Sequence, residues 1–257
     1  MARVKHVAGV TVAVLEHGPT PLSPLGGMLS KLGEVYRRAR PGEKPDYVEL
    51  HLYPSILALA EALEGEALRA GAGVSAAYPV AYEAWTGIPR IHAVPGELAS
   101  LPGGLSLLAH EAVHSILHQG PGYYIVRLPR GLPAHSGVLV AHAAATVVKD
   151  LEVHLWMAER GLAGDLGALR SYWLHSLPRE APCTRLTLAG DVLRAATAWI
   201  AEGLEPPLPQ GCSSLAPLLG VLQSMAEGWR RGLRPWGQVD RLVEEMARLA
   251  ADGTLTP

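Results

Sequence analysis

Apolar residues follow two rhythms along the chain, and the rhythm changes near residue 105. Val10, Val12 and Val14 alternate with smaller side chains, which predicts a strand over 4–15. Leu25, Met28, Leu29, Leu32, Val35 and Tyr36 then recur at helical spacing. YVELHLY at 47–53 alternates again and predicts a half-buried strand, and ILALAEALEGEAL at 56–68 returns to a helix. Glycine and proline punctuate 71–104, where RIHAV at 90–94, bounded by Pro89 and Pro95, predicts a short edge strand to which an extended peptide could pair. From Leu105 onward the spacing is helical almost throughout, with helices expected over 105–118, 136–160, 162–177, 184–203, 213–230 and 238–251. The interruption at 119–135 reads as a loop or a short hairpin.

This succession predicts an α+β protein, with a small N-terminal α/β lobe over 1–104 and a mainly helical lobe over 105–257, or one compact domain of both. An apolar fraction of 49% with 18% charged residues fits a core-forming chain rather than a disordered one. The net charge of -2, with both signs mixed along the sequence, removes nucleic acid and anionic membranes from the expected partners. Two stretches without charge, 131–148 and 206–226, contain Pro, Gly and polar residues and read as buried or loop segments rather than membrane spans. Cys183 and Cys212 have no CxxC spacing, and each precedes a predicted helix. In a plain helical hairpin those helix starts lie at opposite ends, so the expectation is two unpaired thiols in a reducing, cytoplasmic setting.

One stretch carries chemistry. LLAHEAVHSILH at 107–118 sets a carboxylate between two imidazoles among aliphatic residues. Each helical residue turns through about 100°, so side chains four apart lie about 40° apart around the axis, and His110 and His114 can reach one ion. Zinc suits imidazole nitrogen, and a catalytic zinc keeps three protein ligands with one position open. Glu111 is the candidate general base acting on water beside such an ion. His118 continues the ligand face, either as a support for the ligands or as an ordinary surface residue.

A third ligand is expected from VVKDLEVHLW at 147–156, which offers Asp150, Glu152 and His154. Asp150 and His154 share a face, whereas Glu152 points about 200° away from Asp150 on an ideal helix. Asp150 or His154 is therefore the expected ligand and the other its support. Tyr123, Tyr124, His135, His142, Tyr172 and His175 could all stabilise an oxyanion, and the sequence selects none of them.

HEAVH followed by a later helix with an acidic residue and a polar partner four positions on resembles the gluzincin-type zinc metallopeptidases of the thermolysin-like, or zincin, fold. The family's HExxH maps onto His110, Glu111 and His114, and its downstream ExxxD most nearly maps onto Asp150 and His154. Asp stands where the family has its Glu ligand, and His where it has Asp. The resemblance implies a zincin-like arrangement with the HExxH helix at the junction of the lobes, a bound Zn2+, and hydrolysis of a peptide or protein substrate. The alternative expectation is a non-catalytic metal-binding or peptide-binding protein on the same scaffold.

Overall fold

The computed structural model describes residues 2–70, 78–177 and 183–256, except the side chains at 2 and 68–70. It is an α+β protein of two compact units, Met1–Tyr124 and Ile125–Pro257. Residues 71–77 of the Gly- and Pro-punctuated stretch lie outside that description.

In the first unit the expected single strand over 4–15 is a hairpin, β1 (Ala2–Val7) and β2 (Val10–Glu16). The turn is two residues long, with Ala8 at φ 51° and Gly9 at φ 88°. Two consecutive left-handed residues match the right-handed twist of the flanking strands. Alanine in that region is uncommon, so the sequence carries no Asn-Gly or Asp-Gly signal there.

α1 (Leu25–Arg38), β3 (Tyr47–Leu52) and α2 (Ile56–Ala70) follow at the expected places. β4 (Val80–Glu83) and β5 (Arg90–Ala93) complete a mixed sheet in the order β1-β2-β3-β5-β4. β5 is not the edge that the flanking prolines suggested. It pairs parallel with β3 and antiparallel with β4, and all four of its residues are buried. Pro89 and Pro95 fall just outside the paired residues, where a missing N–H costs the ladder nothing. β4 is the edge strand on that side of the sheet, and β1 is the other edge.

The strand registers sort the side chains onto two faces. Val14, Leu50, Ile91 and Tyr82 form one cross-strand row, and Leu15, His51, His92 and Ala81 form another on the opposite face. α3 (Pro95–Ser100) leads directly into α4 (Gly104–Leu117), the HEAVH helix. α4 packs against α1, α3, β4 and β5, so it folds with the sheet rather than with the helices that follow it. Its start needs glycine twice. Gly103 caps it at φ 76°, and a Cβ on Gly104 would overlap the Leu98 carbonyl oxygen. The buried hydroxyls of Tyr36 on α1 and Ser115 on α4 meet at 3.0 Å.

The interruption at 119–135 holds a 3-10 turn, Pro121–Tyr124, and no hairpin. In the second unit the long α5 (Ala134–Glu159) is surrounded by α6 (Ala163–Ser176), α7 (Leu186–Ile200), α8 (Ala216–Arg230) and α9 (Val239–Ala251). Val147, Val148 and Leu151 of α5 share a core with Leu193 of α7, Leu222 of α8 and Met246 of α9. Small residues let α5 and α7 approach closely, with Gly190 facing the Ala143 methyl.

Cys183 and Cys212 form a disulfide, contrary to the expected free thiols. Residues 201–212 after α7 run back along its length, which brings the two Cα atoms to 4.9 Å. A plain hairpin would have kept them apart. No described helix is long and apolar enough to cross a membrane.

Candidate metal centre

α4 is apolar on most of its circumference, and that burial presents its two histidines together. His110 and His114 are buried, Glu111 is half-buried, and one ligand atom from each can lie within 4.8 Å of the others. The Nε2 atoms of His110 and His114 are 3.0 Å apart. Tetrahedral zinc with Zn–N near 2.0–2.1 Å sets two nitrogens about 3.3 Å apart, so small rotations of the rings would admit an ion. The donor set fits a borderline divalent cation of the zinc type, because imidazole nitrogen is a poor match for calcium or magnesium.

His118 and Tyr82 hold His114 from further sides. Its Nδ1 lies 2.8 Å from Nδ1 of His118, which is fully buried at the C-terminal cap of α4. The Tyr82 ring on β4 lies parallel to the His114 ring, 5.6 Å away and tilted by 8°. The Tyr82 hydroxyl donates to the His118 carbonyl oxygen at 2.8 Å. Burial first, then nearby Tyr124 and Glu83, raises the Tyr82 pKa, which keeps that hydroxyl a donor. The sequence offered His118 by its spacing. It gave no sign of Tyr82, which reaches the site only through the pairing of β4 with β5.

In the second unit α5 carries the three expected third-ligand candidates in different settings. Asp150 is buried and accepts from Arg194 Nε at 2.7 Å, and the Arg194 guanidinium lies over the Trp173 ring. Glu152 has no solvent exposure and is gripped by Arg234, with a further hydrogen bond from the Trp236 backbone N–H at 2.8 Å. That clasp ties α5 to the turn before α9, so Glu152 is committed to structure. His154, also fully buried, lies with Nδ1 2.8 Å from the Thr197 hydroxyl oxygen. Thr197 spends its single proton on the Arg194 carbonyl oxygen at 2.6 Å. Nδ1 of His154 is therefore the donor in that contact.

Of the oxyanion candidates, the Tyr124 hydroxyl accepts from the Ala84 backbone N–H at 2.8 Å, and the Tyr123 ring packs edge-on against His118 at 4.6 Å. His175 turns its Nδ1 back to the Ser171 carbonyl oxygen on its own helix. Comparison of the chain with known protein families, with curated proteins and with solved structures returned no match. The gluzincin resemblance therefore stands on the residues of the motif alone.

A second cluster of titratable groups, which sequence patterning did not pick out, lies on the opposite face of the sheet, where α2 contributes Leu59 and Leu63 beside Tyr53. His51 donates from Nε2 to Glu49 at 3.0 Å, so its Nδ1 must accept from Nε2 of His17 at 2.8 Å. Next to it, His92 contacts the Tyr53 hydroxyl at 3.1 Å and Glu83 at 3.4 Å, while Arg90 bridges Glu83 and Glu66. Burial, then the neighbouring His92, lowers the His51 pKa, and burial, then Arg90, pushes His92 down to about 3. Burial, opposed by Arg90, pushes Glu83 up to about 7.

A histidine with a depressed folded-state pKa favours the folded state fully above its unfolded value near 6.5, and that contribution is lost as pH falls toward the folded value. Each such group contributes a slope of up to about 1.4 kcal/mol per pH unit within its window. Glu83 acts with the opposite sign and is common to the wild type and to His51→Gln. Urea unfolding from pH 7 downward is expected to show a shallower loss of stability below pH 6.5 in His51→Gln than in the wild type. Equal slopes would exclude His51 as a contributor.

Proposed function

We propose that the chain is a zinc-dependent peptidase with a zincin-like arrangement, in which His110 and His114 hold the metal and Glu111 is the general base. The observation that carries this reading is the pair of imidazole Nε2 atoms 3.0 Å apart on one buried helical face, with the Glu111 carboxylate beside them. The order of mixed sheet, HEAVH helix and helical unit supports it.

Asp150 and His154, the expected third-ligand candidates, lie on α5 of the other unit, where Asp150 pairs with Arg194 and His154 bonds the Thr197 hydroxyl, and the group among the described residues that could hold an ion is His110, Glu111 and His114. The Asp150–Arg194 pair ties α5 to α7, the helix that also carries Thr197. Zinc, when bound, supplies Lewis acidity that polarises a carbonyl and acidifies water. Glu111 accepts the proton of the attacking water and delivers it to the leaving amine, the ordinary work of a general acid–base carboxylate. The substrate class is a peptide or protein. The buried disulfide supports an oxidising compartment over the cytoplasm.

Metal content of the gently purified chain by mass spectrometry, beside His110→Ala and His114→Ala, tests the site. The expected result is about one zinc per chain, lost in His114→Ala and in His110→Ala. Absence of metal from the wild type after zinc is offered would overturn the reading.

A further inference from the structure

We infer that His118 is the positioning residue of the HEAVH centre, holding His114 in the tautomer and ring orientation that metal binding needs, with Tyr82 fixing His118 in turn. The inference rests on the metal-centre reading above. A histidine that binds a metal through Nε2 must carry its proton on Nδ1, and that N–H needs an acceptor. The acceptor facing Nδ1 of His114 at 2.8 Å is Nδ1 of His118, where a carboxylate or backbone carbonyl is the usual partner. His118 then keeps its own proton on Nε2, and without metal His110 donates from Nε2 to the lone pair of His114 across their 3.0 Å contact.

The local backbone serves this arrangement. The His118 N–H is still bonded to the His114 carbonyl oxygen at 2.8 Å, while its own φ of -123° and ψ of 45° leave the helix. The chain turns away at that residue, and its ring stays 5.0 Å from the His114 ring, tilted by 46°. The Tyr82 hydroxyl bonds the His118 carbonyl oxygen, and the Tyr82 ring covers the His114 face. Tyr123 closes the far side of His118 edge-on. His114 is thus restrained along its ring plane by His118 and across it by Tyr82.

The test measures zinc affinity of the full chain by competition with a chromophoric chelator, in the wild type, His118→Leu, His118→Asn and Tyr82→Phe. Nitrogen-15 spectra of the wild-type imidazoles without metal accompany it. His118→Leu is expected to weaken zinc binding 10- to 100-fold, the usual effect of removing an outer partner. His118→Asn, whose side-chain carbonyl can accept the same proton, should recover most of the affinity, and Tyr82→Phe should lie between. The spectra should give His114 protonated at Nδ1.

Unchanged affinity in His118→Leu, with the wild type binding zinc, would overturn the role of His118 and leave the metal centre standing. A wild type that binds no zinc would overturn both. If His118→Leu does not fold, the wild-type spectra decide: a His114 proton on Nε2 overturns the inference, and one on Nδ1 together with the affinity of His118→Asn sustains it.

Discussion

Glu111→Gln is expected to retain zinc at wild-type stoichiometry while peptide hydrolysis falls by about 10²- to 10⁴-fold, the range that a positioned general base contributes. The amide has nearly the shape of the carboxylate and cannot take a proton from water at neutral pH. Glu111 follows His110 directly on α4, about 100° around the helix from it, so it flanks the ligand pair rather than joining it. Its removal should therefore spare the metal. Titration of activity against zinc content in both proteins checks the point. A zinc-loaded Glu111→Gln of full activity would remove Glu111 from the mechanism, and loss of zinc would make it a ligand.

The largest expected effect on stability comes from the second unit. Cys183 and Cys212 are separated by 29 positions, and closing a loop of that length restricts the unfolded chain by about 3–4 kcal/mol. Replacing both cysteines by serine should lower the unfolding free energy by about that amount, with some further loss from two hydroxyls in a fully buried site. Reduction of the wild type with a strong thiol should reproduce most of the effect. Denaturant midpoints of the oxidised, reduced and double-serine chains measure it, and coincident midpoints for all three would rule out a stabilising bridge. The HEAVH helix belongs to the other unit, so zinc affinity of the folded double-serine chain is expected to be preserved.

Helical periodicity made most of the helices legible from Leu25 to Ala251, because amphipathic ones such as α1 and α9 bury one stripe and leave the rest polar, whereas the short α3 was not expected. The HEAVH pair was legible for the same reason, since four-residue spacing on a helix is geometry. Features that depend on partners distant in sequence were not. The Ala8–Gly9 turn lacks the usual residue preference, and β5 is buried on both faces, so its four residues show no alternation. Glu152 looked like a spare ligand until Arg234 and Trp236, 82 and 84 positions away, proved to hold it. Tyr82 reaches His118 across 36 positions through strand pairing. The disulfide required knowing that 201–212 doubles back.

The clasp on Glu152 bears on how the chain can be shortened. Arg234 and the Trp236 N–H neutralise and desolvate-proof a carboxylate two residues from His154 on the same helix, yet they belong to the last tenth of the sequence. Trimming back to residue 233 would remove α9 with its core residues Leu242, Val243 and Met246. It would strip the counter-charge from a fully buried anion, a loss of about 3–5 kcal/mol when one partner of such a pair is deleted. α5 would then reorganise or admit water beside His154. The C-terminal segment is in that sense a remote insulator of the middle of α5, and changes to the tail are changes to that helix.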